Sequence, residues 1–275
     1  METNEKTCSP KSLEVQETGG LNANSESSPE PATLKQWIGT LAFWLFVAVS
    51  CVVMFIGALF VFLVTAPFDP KRHVLHLYSC FWGQLYFYVT PIWKLRIEGR
   101  ERIPWRGAAV LISNHQSLGD ILVLFGLYRP FKWVSKKSIF KVPFVGWNMR
   151  LNKYIPLVRG DRGSIRKMMN ECRSWLDRGV PVLMFPEGTR SPDGNVLPFK
   201  DGAFRLAVEA DCPVIPIALN GTAATLPKNG YMIRKKANCR VRVLPPIHPA
   251  EFGHDVAVFR DHIRDVVDTE RRKLT

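Results

Sequence analysis

His115 and Asp120 lie five residues apart in the run Ser113-Asn114-His115-Gln116-Ser117-Leu118-Gly119-Asp120. Imidazole exchanges protons near neutral pH, and a carboxylate on one ring nitrogen fixes the tautomer while the other nitrogen accepts a proton from a hydroxyl. On one continuous helix a five-residue separation puts two side chains about 140° apart. The pair therefore meets only if His115 lies in a loop and Asp120 in the first turn of the helix that follows. Taken alone, the spacing is equally that of a helix-capping Asp beside an exposed loop His.

A second chemically suggestive run, Phe185-Pro186-Glu187-Gly188-Thr189-Arg190, follows the apolar stretch Val180 to Phe185. Gly188 permits a tight turn and a close ligand approach, Thr189 offers a hydroxyl, and Arg190 can grip a phosphate through two donors. By itself this run also fits a plain strand-to-loop turn with an incidental Glu/Arg pair.

The elements that would position these runs are legible from residue 108 onward, where short β-type stretches alternate with helical ones. Strands are expected at 109–113, 132–135, 154–158, 180–185, 214–218 and 240–244, and helices at 120–128, 164–178, 202–210 and 255–271. The pattern predicts an α/β fold with a mixed sheet flanked by helices. Both chemical runs then sit just past strand ends, where such folds place their sites.

Ahead of this domain, Trp37 to Val64 is uncharged and dominated by Leu, Phe, Val, Ile and Ala. It exceeds the roughly 20 residues needed to cross a bilayer, so an N-terminal membrane helix is expected. Leu77 to Trp93 is shorter and rich in Tyr, Phe and Trp, and reads as a second, interfacial helix. Residues 1–34 form a polar tail expected to be disordered, 35–94 the anchoring helices and 95–275 the catalytic domain. Lys71, Arg72, Lys94, Arg96, Arg100, Arg102 and Arg106 follow the long apolar run, which orients the C-terminal domain toward the cytoplasm.

The formal net charge is +13, and because residues 1–36 carry three Lys and six Glu, the remainder carries +16. That balance favours anionic partners: a membrane surface, a phosphorylated substrate or nucleic acid. No nucleic-acid motif accompanies it, and the apolar anchor makes lipid the expected partner. The six cysteines are scattered, without zinc spacing, and are expected as reduced thiols with no metal. No Gly-x-Ser-x-Gly elbow is present, so no serine nucleophile is expected.

Asn-His-x4-Asp followed some 70 residues later by Phe-Pro-Glu-Gly-Thr-Arg resembles the glycerolipid acyltransferase family, and in particular the bacterial 1-acylglycerol-3-phosphate acyltransferases. Lys136 to Pro143 leading to Tyr154 to Arg159, and Cys212 to Ile217, resemble the family's other blocks, so the resemblance runs from about Leu95 to Leu244. Pro156 departs from the usual pattern before the family's Arg, which makes Arg162 a competitor of Arg159.

The resemblance implies His115 as general base and Asp120 as its orienting partner. It implies Glu187, Gly188 and Thr189 in acceptor-lipid binding, and Lys136, Arg159 and Arg190 around the glycerol phosphate. The implied reaction moves a fatty acyl group from an acyl-CoA or acyl carrier protein thioester to the sn-2 hydroxyl of lysophosphatidic acid, giving phosphatidic acid without a cofactor. The same machinery would serve a lyso-ornithine lipid, another lysophospholipid or glycerol phosphate, and a non-catalytic membrane lipid-binding protein is the alternative from another class. An inner or cytoplasmic membrane location follows, with the catalytic domain on the cytoplasmic side.

Overall fold

Strand β2 (Val110–Ser113) is the centre of a seven-stranded sheet in a computed structural model that describes residues 1–2, 33–226 and 236–274. The remaining strands are β1 (Trp93–Glu98), β3 (Lys132–Lys136), β4 (Ile155–Leu157), β5 (Val182–Met184), β6 (Val214–Asn220) and β7 (Ala237–Val243), in the order β1-β7-β6-β2-β5-β3-β4. β2 pairs in parallel with both β5 and β6, and β3 with β5 and β4. β7 runs antiparallel to β6 and parallel to β1, which makes the sheet mixed. The expectation for residues 3–32 of the polar tail lies outside the described residues.

Alternation along the central strands divides the core into two layers. Leu111, Leu183 and Ile215 are in register and face helix α2 (His73–Val89) and helix α3 (Gly119–Phe125). Val110, Ile112, Val182, Met184 and Val214 face the other way, against α5 (Arg162–Asp177), α6 (Gly202–Glu209) and α7 (Val256–Lys273). Side chains on a strand point alternately to opposite faces, so strands buried on both faces read as continuous apolar runs.

Helix α1 (Leu34–Thr65) is 32 residues, about 48 Å at 1.5 Å per residue. Its Gln36–Thr65 stretch is long and apolar enough to cross a membrane, with a mean hydropathy of 2.9 in its most apolar 18-residue window. Thr40, Ser50, Met54 and Ala58 are buried on one side, whereas Leu41, Leu45, Val49, Ile56, Phe60 and Leu63 are exposed. Leu34–Thr275 packs as one compact unit. Within it Ser50 Oγ lies 3.2 Å from Tyr86 Oη of α2, and Phe55 meets Phe144 and Trp147 beside α4 (Val145–Leu151).

The second apolar segment, expected as a helix to Trp93, forms α2 only as far as Val89, and Trp93 opens β1 instead; α2 buries Leu75, Cys80, Trp82 and Phe87 in the core and exposes Val74, Phe81, Tyr88 and Val89. Strand β1 and helix α4 are not among the elements that the sequence predicts. β1 contains the 94/95 boundary drawn there between anchor and catalytic domain. Its Lys94 and Arg96 read as topogenic charge in sequence, yet with Glu98 they alternate with Leu95 and Ile97 on an edge strand, where charged side chains discourage further pairing. Glu98 pairs with Arg96 at 3.0 Å and with Arg242 of β7 at 2.9 Å.

Candidate active site

Asn114 ends the regular run of β2 by bonding sideways. Its Nδ2 donates to Leu219 O at 3.0 Å and its Oδ1 accepts from Leu219 N at 2.9 Å. The side chain thus imitates one more ladder step, and His115 leaves the sheet from a fixed point. α3 begins four residues later, so the chain folds back and Asp120 sits in its first turn.

There Asp120 Oδ2 accepts three hydrogen bonds, from His115 Nδ1 at 2.6 Å, Gln116 N at 2.6 Å and Ser117 N at 3.0 Å. Asp120 is wholly buried and His115 is 8% exposed, enough for one edge of the ring to meet a substrate. A carboxylate oxygen accepts, so the proton sits on Nδ1 and Nε2 is left as the acceptor. Gly119 is obligatory at this fold-back: a Cβ there would lie 2.0 Å from Thr225 Oγ1.

The second run comes from the end of β5, adjacent to β2. Phe185 stacks on the His115 ring, with centroids 4.1 Å apart and planes 15° apart, and Trp133 of β3 stacks behind Phe185 at 6.0 Å. Ser191 N donates to His115 O at 2.8 Å, which ties the two loops together. Gly188 has φ +71°, a left-handed conformation that favours glycine.

Glu187 turns its carboxylate inward: Oε1 accepts from His115 N at 2.7 Å and Oε2 from Leu197 N at 3.2 Å. Burial pushes its pKa up to about 7, against the opposing pull of those two N–H groups. The N–H groups of His115, Gln116 and Ser117 are therefore all engaged by carboxylates. None of these three N–H groups is left free to donate to a further ligand.

Lys136 closes β3 and is exposed. Arg159 is exposed two residues beyond β4, and Arg190 is half-buried in the loop after β5, next to exposed Thr189. The parallel pairing Lys136↔Leu157 carries them to the same sheet edge as His115. They spread away from it across β5, β3 and β4, at about 4.8 Å per strand. Among the described residues none of the three forms an ion pair or side-chain hydrogen bond, so all can accept an anion. Arg162, the competitor of Arg159, opens α5 and is also exposed.

The sequence gives Asn114 and Phe185 no role, and their functions depend on partners far away in the chain. The turn signal Asn220-Gly221 is readable, but its place beside the dyad is not. An apolar cavity of about 240 Å³ opens on the α3 side, lined by Trp82, Tyr86, Ile121, Phe125, Trp133 and Met149. Trp133 belongs both to this cavity and to the aromatic stack on His115.

Known proteins resemble this chain in sequence and in fold. Residues 94–220 match the Acyltransferase family model. The chain is 38% identical over 239 residues to a 1-acyl-sn-glycerol-3-phosphate acyltransferase of Chlamydomonas reinhardtii, covering 85% of this chain and 71% of that protein. It is 40% identical over 199 residues to a chloroplastic enzyme of the same name from Arabidopsis thaliana, covering 72% of this chain and 54% of the relative. The crystal structure of the 1-acyl-sn-glycerophosphate (LPA) acyltransferase PlsC from Thermotoga maritima superimposes with a TM-score of 0.71 at 27% identity, over 87% of this chain and 96% of the other. With its two motifs folded around one sheet edge and these relatives spanning most of its length, the chain belongs to the 1-acyl-sn-glycerol-3-phosphate acyltransferase family.

Proposed function

We propose that this protein transfers a fatty acyl group from an acyl thioester to the sn-2 hydroxyl of 1-acylglycerol-3-phosphate, forming phosphatidic acid. The observation that carries the reading is the 2.6 Å contact from His115 Nδ1 to buried Asp120, which leaves Nε2 free to accept a proton. As the lipid hydroxyl attacks the thioester carbonyl, Nε2 takes its proton and the Asp120 carboxylate stabilises the imidazolium. The C–S bond breaks, and the departing sulfur takes that proton from His115. The thioester brings its own activation, so the protein supplies position and a base and needs no cofactor.

Lys136, Arg159 and Arg190 take the acceptor's phosphate, with Thr189 at the rim; their unpaired state supports this over a lyso-ornithine acceptor. The apolar cavity beside Trp133 receives acyl chain. Helix α1 crosses the membrane, and the basic residues after it keep the catalytic domain on the cytoplasmic side. The testing experiment is a panel of acyl-CoA and acyl carrier protein donors against lysophosphatidate, lyso-ornithine lipid and glycerol phosphate in liposomes. Phosphatidate is the expected product; transfer confined to either other acceptor would refute the assignment.

Glu187 acts on this site through the backbone of His115 rather than through the lipid. In Glu187→Gln one buried N–H faces an amide NH2, so kcat falls by about 10-fold to 100-fold while the lysolipid KM stays within about twofold. A large rise in KM with unchanged kcat would instead return Glu187 to acceptor binding. The folded-state pKa of about 7 lies above the ordinary 4.5, so the stability linked to Glu187 is present below pH 4.5 and lost as pH rises toward 7. The Tm of wild type therefore declines more than that of Glu187→Gln between those limits.

A further inference from the structure

A second cleft, of about 560 Å³, opens beside the dyad over the end of β6. Its walls include Gln116 and Ser117 directly after His115, Asp193 in the loop after β5, Asn220 at the end of β6, Ala223 just beyond it, and Arg271 of α7. β2 separates β6 from β3 and β4, so this cleft lies across the dyad from Lys136 and Arg159.

Its charge is unlike that of the other side. Arg271 is held by Asp268, with Nε at 3.1 Å and Nη2 at 2.9 Å from Oδ1. Asp193 accepts from Asn195 N, Asn195 Nδ2 and Ser191 Oγ, and the bonds led by Asn195 N lower its pKa to about 2. Among the described cleft residues there is thus an ionised carboxylate and no uncommitted cation, a poor receptor for phosphate.

What the cleft does offer is amide chemistry on a partly apolar wall. Gln116 Nε2 donates to Gly194 O at 3.1 Å and to Asn220 Oδ1 at 3.4 Å, and Thr222 Oγ1 donates to Gln116 Oε1 at 3.3 Å. The contacts at 3.3 and 3.4 Å lie beyond the usual hydrogen-bond range, so the Gln116 and Asn220 amides can exchange them for those of a ligand amide. Ala223, Ala224 and Leu226 supply the apolar part.

We propose that this cleft seats the pantetheine arm shared by acyl-CoA and acyl carrier protein, a neutral chain with two amides, and delivers the thioester to His115 from the side away from the acceptor's phosphate. The proposal rests on the acyl-transfer reading above. It gives each substrate its own approach to one base: the anionic lipid over β5, β3 and β4, and the neutral arm over β6.

Ala223 is exposed on a short turn at the cleft wall, so Ala223→Trp overhangs the cleft without entering the core. The expected result is a rise of about tenfold or more in the KM of whichever thioester donor the wild type uses, with the lysolipid KM within about twofold. Pantetheine alone should inhibit wild type competitively against that donor, a measurement independent of how the variant folds. Turnover with acyl-CoA or with acyl carrier protein distinguishes the source of the arm. An unchanged donor KM, a rise in the lysolipid KM instead, or pantetheine inhibition competitive with the lysolipid overturns the cleft assignment. Absence of transfer by wild type from every thioester overturns the acyl-transfer reading itself, and the cleft with it.

Discussion

His115→Ala is expected to lower kcat by about 10³-fold, close to 4 kcal/mol of transition-state stabilisation, with the KM of both substrates changed by less than about threefold. The lipid hydroxyl is a weak nucleophile unless its proton leaves during attack. Nε2 of His115 is available because Nδ1 is held by Asp120 at 2.6 Å, and the ring is pinned by the Phe185 stack and by the Glu187 bond to its own backbone N–H. Removing the imidazole takes away the base and leaves the basic residues and the apolar cavity in place, which is why binding is spared. Steady-state kinetics on liposomes measures both constants, and added imidazole should restore part of the rate by entering the vacated space. Full activity in the alanine variant would abolish the general-base mechanism.

Asp120→Asn should lower kcat by about 10³-fold as well, through orientation rather than loss of the base. The aspartate oxygen that accepts from His115 Nδ1 also accepts from Gln116 N and Ser117 N. An asparagine can offer its oxygen to those two N–H groups and its NH2 to Nδ1, which moves the ring proton to Nε2, where the hydroxyl must be deprotonated. The imidazolium formed during attack also loses its buried counter-charge. Kinetics of the purified variant, with its Tm as a check on folding, tests this; a loss confined to KM would show that Asp120 serves only to shape the loop. An NMR measurement of the imidazole tautomer gives a second readout, and retention of the proton on Nδ1 would count against the proposed cause.

Local pattern made much of this architecture readable. Val110–Ser113 and Val214–Asn220 are continuous apolar runs because both faces of the sheet are covered, and α5 and α7 are amphipathic helices packed on one face. β1 is hard to read from the sequence because, apart from buried Trp93 at its start, this edge strand buries Leu95 and Ile97 only in part, and its charges at 94 and 96 are indistinguishable in sequence from a topogenic cluster. α4 is not legible in sequence because Val145–Leu151 is two turns long and is held by its neighbours, including Phe55 of α1 on Trp147, more than by helical periodicity.

The sequence by itself determined the long apolar helix, the alternating α/β order, and the chemistry-bearing types at His115, Asp120, Glu187 and Arg190. It also required a loop-to-helix fold-back, because five residues on a helix cannot bring a His and an Asp together. Only the tertiary structure decided which atoms meet. Asp120 gathers a ring nitrogen and two backbone N–H groups on one oxygen, Glu187 holds His115 from 72 positions away, and Asn114 is locked to Leu219, 105 positions on. The physical reason is that the long-range partners of Glu187 and Asn114 are chosen by the strand order β6-β2-β5, which closes loops distant in the chain around one sheet edge, and local spacing carries no information about that order.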